Sequence, residues 1–153
     1  MFKINRKIEY ALIALKHMSQ KKDNELTSAK EICDIFQAPF DPTSRVLQIM
    51  TQHGILQAEQ GAKGGYKIVK DLTQISLFEL SEMIIGPIEI VNCMQNEKST
   101  CEIMCHCQII APMLELNDKL NTLFKTINIA DLLGKSHAGV KEILNKSRGQ
   151  LVS

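Results

Sequence analysis

A chain of 153 residues is long enough for one hydrophobic core and an added dimerisation element, but it is too short for two independent domains. Its composition, with 44% hydrophobic and 23% charged residues, excludes a disordered or fibrous protein. The net charge of +1 does not by itself indicate a nucleic-acid-binding protein, although the charge is uneven, with +3 on residues 1–72 and −2 on residues 73–153.

The sequence contains no apolar run close to the roughly 20 residues that span a bilayer. Its N-terminal stretch has basic residues ahead of an apolar segment, but Lys16 interrupts that segment and no small-residue cleavage site follows it. We therefore expect neither a membrane span nor a secretory signal, and we expect the protein in the cytoplasm.

Two helices are predicted before residue 40. Apolar side chains spaced three and four residues apart over residues 8–20 predict the first helix. Ser28 followed by Glu31 is the pattern of a capping box, in which each side chain accepts a hydrogen bond from the other residue's backbone N–H. This pattern predicts the start of the second helix, and Pro39 predicts its end.

A third helix and a hairpin follow. Asp41 as N-cap and Pro42 as first helical residue predict a helix that ends near Gly54. Two short runs of strand-forming residues then flank the glycine-rich segment Gly61–Gly65, which predicts a β-hairpin with a longer loop. Three helices and a hairpin in this order are typical of a winged helix-turn-helix. The expected fold is mainly α with a small β-hairpin wing.

The third helix carries side chains suited to the major groove of DNA. Its apolar residues are expected to face the core, which leaves Thr43, Ser44, Arg45 and Gln48 for contact with double-stranded operator DNA. Arginine pairs with guanine, glutamine with adenine, and hydroxyl groups bind bases or phosphates. In the wing, Lys63 lies among small residues that permit close approach to a phosphate or to the minor groove. The alternative for each of these residues is an ordinary solvated side chain.

The second half of the chain predicts further helices. Ser76 and Glu79 form another capping-box pattern, and Gly86 ends the helix that they open. Residues 92–108 show no periodicity, and a short turn of helix is expected over residues 128–133. Between them, apolar residues alternate at four- and three-residue intervals and predict one long helix with an apolar stripe, formed by Ile109, Met113, Leu116, Leu120, Leu123 and Ile127.

The apolar stripe predicts a homodimer. A helix-turn-helix protein commonly uses two-fold symmetry to bind two half-sites, and a stripe on a long helix supplies the contact between two copies. The alternative is that the stripe packs on the protein's own core, because it covers fewer than three heptads.

Four of the five cysteines lie inside the aperiodic segment and span fifteen positions. They are Cys93, Cys101, Cys105 and Cys107. Because a reducing cytoplasm disfavours disulfides, metal or cluster ligation is expected. Zinc commonly takes paired C-x-x-C motifs, which this segment lacks, and its wider spacing is compatible with an iron–sulfur cluster. Cys33 lies on the apolar face of the second helix and is expected to be a buried small hydrophobic residue.

The motifs EYALIAL, FDPTSRVLQIMTQHGIL, GAKGGY, the cysteine segment and NIADLL together resemble the IscR and NsrR type of iron–sulfur transcription regulators, over nearly the whole chain to about Gly134. The resemblance implies a homodimer, a winged helix and a cluster held by three cysteines and a variable fourth ligand. In the alignment read back from NIADLL without gaps, Cys107 and Cys101 match the family's third and second cysteines. Cys93 matches the first with a slightly longer loop, and Cys105 is additional.

The fourth ligand departs from the IscR pattern. The same register places Ile110 where IscR-type proteins have a histidine ligand, and isoleucine cannot coordinate iron. The resemblance implies that members without this histidine can take a carboxylate from the first helix of the other protomer, which here is Glu9. Cys105 and a small molecule are the alternatives.

The expected function is a DNA-binding transcription regulator, such as a repressor, whose iron–sulfur cluster senses redox state, nitric oxide or iron supply. We expect a 2Fe–2S cluster in preference to a 4Fe–4S cluster. Cluster binding would order the cysteine segment and thereby set the separation of the two recognition helices. The alternatives are a cluster-free thiol sensor in which Cys105 forms a disulfide, and an iron–sulfur carrier or electron-transfer protein.

An enzyme is not expected, because the sequence offers no convergent set of acid, base and nucleophile. The expected organisation is a winged helix-turn-helix domain at residues 1–72, the cluster-binding loop and dimerisation helix at residues 73–134, and a C-terminal tail at residues 135–153.

Overall fold

The structure, a computed structural model, describes residues 3–22, 25–90 and 106–134. These residues form helices around one core, with a two-stranded antiparallel hairpin between the third and fourth helices. The elements in chain order are α1 (Arg6–Ser19), α2 (Ala29–Phe36), α3 (Phe40–Gln52), β1 (Leu56–Glu59), β2 (Gly65–Ile68), a 3-10 turn (Leu72–Gln74), α4 (Leu77–Ile85), α5 (Ile110–Thr126) and α6 (Ile129–Gly134). The expected mainly helical fold with a hairpin wing is confirmed.

The turn of the helix-turn-helix lies at Gln37, which ends α2 with a left-handed backbone at φ 53°. Pro39, with φ −66°, then precedes α3 as its N-cap, and Phe40 is the first helical residue. The expectation that Asp41 is the N-cap was therefore wrong by two residues. Pro42 is compatible with the earlier start, because backbone N–H groups in the first turn of a helix have no partner within the helix.

The wing is an antiparallel pair in which Leu56 lies opposite Ile68 and Glu59 opposite Gly65. Thr27 and Tyr66 exchange two backbone hydrogen bonds of 2.9 Å, which fix the wing to the segment before α2. A Cβ atom at position 65 would lie 2.8 Å from the carbonyl oxygen of Thr27. Glycine is therefore required where this backbone passes.

One hydrophobic core joins elements from both halves of the chain. Its fully buried side chains include Leu15 of α1, Leu47 of α3, Leu80 of α4 and Ile129 of α6. Helix α3 thus shares a core with helices that precede and follow the cysteine segment. A shift of α4 would be transmitted to α3 because such cores are close-packed.

The start of α4 has the capping box that the sequence predicts. The hydroxyl oxygen of Ser76 accepts a hydrogen bond of 3.1 Å from the backbone N–H of Glu79, and the Glu79 carboxylate accepts one of 2.8 Å from the N–H of Ser76. The backbone donor at Ser76 holds the pKa of Glu79 below its usual range. The predicted end at Gly86 is also confirmed, since α4 ends at Ile85.

The long helix α5 packs along α4 and keeps part of its apolar stripe exposed. Ile109, Leu116 and Leu123 are 60%, 43% and 52% exposed, at seven-residue intervals. Met113 and Leu120, on the other side of the stripe, are half-buried. In the described ranges, no helix is both long and apolar enough to cross a membrane.

Candidate DNA-reading surface and cysteine segment

The outward side of α3 carries a continuous row of polar side chains, which we call the α3 outer face. Asp41, Arg45, Gln48 and Gln52 are exposed, and Ser44 is half-buried. Their spacing of four, three and four residues places them on one side of a helix. The expectation that Arg45 and Gln48 point away from the core agrees with this exposure.

Thr43 lies on the opposite side of α3. It is only 1% exposed and shares a face with the buried Val46, Leu47 and Met50, three, four and seven residues further on. The prediction that Thr43 is available to the major groove is therefore wrong. Sequence analysis could have found this, because position 43 continues the same helical periodicity as the three apolar residues.

Lys63 is exposed at the tip of the wing, between β1 and β2. At the base of the wing, Lys67 is held by Glu59, since their Nζ and Oε1 atoms lie 2.6 Å apart. Of these two lysines of the hairpin, Lys63 is therefore the one whose charge is available for a phosphate.

A polar cluster that the sequence did not predict joins α1 to α2. Glu31 Oε1 lies 2.7 Å from His17 Nε2 and 2.6 Å from Lys21 Nζ. Burial alone would raise the pKa of Glu31, but the hydrogen bonds from Lys21 and His17 hold that pKa below its usual range. The expected capping box at Ser28 is only half formed: Ser28 Oγ accepts from the Glu31 N–H, while the Glu31 carboxylate binds α1 instead.

Of the predicted cluster ligands, Cys93, Cys101 and Cys105 lie outside the described residues. Cys107 is described, and its thiol is free and half-buried three residues before α5. Cys33 is a free, half-buried thiol on α2, where full burial had been expected. Within residues 3–22, 25–90 and 106–134, no three or more His, Cys, Asp or Glu side chains come together in a group that could hold a metal ion.

Glu9, the predicted carboxylate ligand, lies on the first turn of α1. Its Oε2 atom is 2.6 Å from a guanidinium nitrogen of Arg6, and its side chain is 38% exposed. The hydrogen bond with Glu9 raises the pKa of Arg6. Arg6 contacts one of the two carboxylate oxygens, so Oε1 is the atom that Glu9 could offer to a metal while Arg6 orients the group.

Ile90, the last described residue before the cysteine segment, is fixed to α5. The Asn117 side-chain oxygen accepts a hydrogen bond of 3.1 Å from the backbone N–H of Ile90. Asn117 is 6% exposed. Nothing in the sequence singles out Asn117, because an asparagine inside an amphipathic helix is expected to lie on its polar face.

These features have counterparts in known proteins. The profile of the Rrf2 family, described as an iron-dependent transcriptional regulator, matches residues 4–135. The chain belongs to the Rrf2 family.

Individual Rrf2-type relatives agree with this assignment. The HTH-type transcriptional regulator NsrR of Shouchella clausii is 23% identical over 101 residues, which cover 66% of this chain and 68% of that protein. The solved structure of CymR, the global cysteine regulator of B. subtilis, has a TM-score of 0.65 at 19% identity. The match covers 89% of this chain and 99% of the CymR chain. The T. potens IscR structure has a TM-score of 0.63 at 15% identity, with 87% of each chain covered.

Membership in the Rrf2 family confirms the resemblance to IscR- and NsrR-type regulators that the sequence motifs indicated. It makes the chain a DNA-binding transcription regulator rather than an enzyme, and the solved structures match its winged-helix fold.

Proposed function

We propose that this Rrf2-family regulator binds its operator in a manner that depends on an iron–sulfur cluster held by Cys93, Cys101 and Cys107. The observation that carries the proposal is the grouping of four of the five cysteines within fifteen residues, directly before the long helix α5. The family's description as iron-dependent supports it.

The available donors suit such a cluster. Thiolates are the usual ligands of iron–sulfur clusters, and Cys107 is a free thiol that is partly shielded from water. Glu9 or Cys105 would supply the fourth ligand, and Glu9 would bind iron through Oε1 while Oε2 keeps its contact with Arg6. When bound, a cluster of the expected 2Fe–2S type would supply a centre that responds to redox state, nitric oxide or iron supply.

The chain's own contacts provide a route from the cysteine segment to the DNA-reading surface. Asn117 holds Ile90, which lies two residues before the segment and five residues after the end of α4. α4 also packs against α1 and α3 in the common core. A change in the order of the segment would therefore alter the position of α3.

The proposal includes a homodimer formed through α5. Exposed Ile109, Leu116 and Leu123 recur every seven residues, which is the spacing of a helix that packs on a second helix. A two-fold dimer would present two α3 helices to half-sites about one turn of DNA apart. In each protomer, Ser44, Arg45 and Gln48 would face the bases, and Lys63 would bind the backbone or the minor groove.

The proposed organisation assigns DNA binding to residues 1–72, cluster binding and dimerisation to residues 73–134, and a tail to residues 135–153. Because the core is continuous across residue 72, the first two parts would move as a coupled unit. We also propose that the regulator acts in the cytoplasm, where the operator DNA and a reducing environment occur together.

The test is the visible absorbance and the iron and sulfide content of protein that is purified without oxygen. We expect cluster absorbance in the wild type and in a Cys33→Ala control, and its loss in Cys93→Ala, Cys101→Ala and Cys107→Ala. Absorbance retained in all three variants would overturn the ligand assignment. An iron-free wild type that forms a Cys105 disulfide on oxidation, detected by mass spectrometry, would identify a thiol sensor instead.

A further inference from the structure

The α3 outer face contains a carboxylate that the proposed DNA contacts do not use. Asp41 is exposed in the first turn of α3, four residues before Arg45 and seven before Gln48. These three side chains therefore lie along one side of the helix. A carboxylate at this position would enter the major groove together with the residues that read it.

A negative charge in the groove is unfavourable unless it meets a hydrogen-bond donor. An ionised carboxylate only accepts hydrogen bonds, and the phosphates on both sides of the groove repel it. Base edges in the major groove offer just two kinds of donor, the amino groups of cytosine and adenine. Adenine presents the acceptor N7 beside its amino group, so cytosine is the base that suits a carboxylate best.

Arg45 has the complementary requirement. Its guanidinium group only donates, and it pairs with the two acceptors of guanine. Among the described residues, the ion pairs within 4.0 Å include neither Asp41 nor Arg45. Both side chains are thus available to bases. Four residues of helix advance by about 6 Å, which corresponds to roughly two base pairs.

We propose that Asp41 selects a cytosine in each half-site of the operator, within about two base pairs of a guanine that Arg45 reads. This inference rests on the proposed function, because it requires that α3 lies in the major groove. The proposal adds a carboxylate acceptor to the donors and hydroxyl groups already assigned to the α3 outer face. It also predicts part of the operator sequence.

The test is selection of binding sites from random double-stranded DNA with the full-length protein, purified without oxygen. We expect the wild-type motif to contain the cytosine near the guanine whose selection is lost in Arg45→Ala. Replacing that cytosine by adenine in one half-site is expected to weaken binding about 5- to 150-fold, the range for one mismatched base pair.

The variant Asp41→Asn gives the sharper result, because asparagine pairs with adenine. We expect its preference at the same position to change from cytosine to adenine, while Asp118→Asn, which removes another exposed charge, on α5, keeps the wild-type motif. A motif without a cytosine near the Arg45-dependent guanine would overturn the inference even if Asp41→Asn did not fold. The inference would also be overturned if Asp41→Asn kept the wild-type base preference and bound all sequences more tightly. If the wild type enriches no motif at all, the proposed function fails instead.

Discussion

Asn117, buried on α5, accepts a hydrogen bond of 3.1 Å from the backbone N–H of Ile90, the last described residue before the cysteine segment. The contact spans 27 positions of sequence and joins the stretch after α4 to the eighth residue of α5. It fixes the point from which the segment must run to reach Cys107.

Replacing Asn117 by Ala should lower the free energy of unfolding by about 1–2 kcal/mol, because a partly buried N–H loses its acceptor. Denaturant unfolding measures this change. We also expect the anaerobic variant to lose iron to a chelator faster than the wild type. Thr122→Ala, at an exposed position of the same helix, is the control and should neither lower the free energy of unfolding nor speed the loss of iron. Equal stability and equal iron loss in Asn117→Ala would contradict the anchoring role.

The polar cluster between α1 and α2 should make stability depend on acid pH. Lys21 and His17 hold the pKa of Glu31 below its ordinary value of 4.5 in the folded state. The stabilisation is therefore complete above that value and is lost as the pH falls through the lower, folded-state pKa. Between pH 7 and pH 3, the free energy of unfolding should fall more in the wild type than in Glu31→Gln.

The matched control for this measurement is Glu115→Gln, which removes a carboxylate from an exposed ion pair with Lys119 on α5. Its pH dependence should follow that of the wild type, because exposed pairs contribute little to stability. Parallel pH curves for the wild type and Glu31→Gln would show that the cluster does not stabilise the fold.

Two substitutions on opposite sides of α3 should have opposite effects. Thr43→Val replaces a buried hydroxyl group that has no hydrogen-bond partner, so the free energy of unfolding should rise by about 1 kcal/mol while operator affinity stays the same. Arg45→Ala should leave stability unchanged and weaken operator binding about 5- to 150-fold. Unfolding curves and fluorescence anisotropy measure the two effects. Weaker DNA binding in Thr43→Val would contradict the assignment of its face to the core.

The exposed part of the α5 stripe should control the oligomeric state. A lysine in place of Leu116 or Leu123 would bury an unpaired ammonium group in the dimer contact and raise its dissociation constant about 100-fold or more. Sedimentation velocity measures this, and circular dichroism checks that the helices remain. Leu114, which is 46% exposed but lies off the stripe, provides the control Leu114→Lys. A dimer that survives in both stripe variants would place the interface elsewhere.

Local signals in the sequence predicted much of the fold. The capping box at Ser76 and Glu79 formed as expected, because both partners are three residues apart and need no distant contact. The same pattern at Ser28 formed only in half, because His17 of α1 and Lys21, just after α1, compete for the Glu31 carboxylate. A competitor that folding brings from another helix is not visible in a local motif.

The candidate site was less predictable for the same reason. The exposure of Arg45 and Gln48 follows from helical periodicity, and the burial of Thr43 would have followed from a stricter use of it. Asn117 acts through Ile90, a residue far away in sequence, and Glu9 is paired with Arg6 before any ligand is considered. The ligand roles of Cys93, Cys101 and Cys107 remain predictions.

Operator affinity of one anaerobic preparation, measured before and after its iron is removed by a chelator, tests the central claim most directly. Coupling between a cluster and a DNA-binding surface is expected to change affinity about 5- to 150-fold, and replacing the cluster should restore the first value. The same affinity with and without iron, or a colourless iron-free preparation with full affinity, would contradict the account.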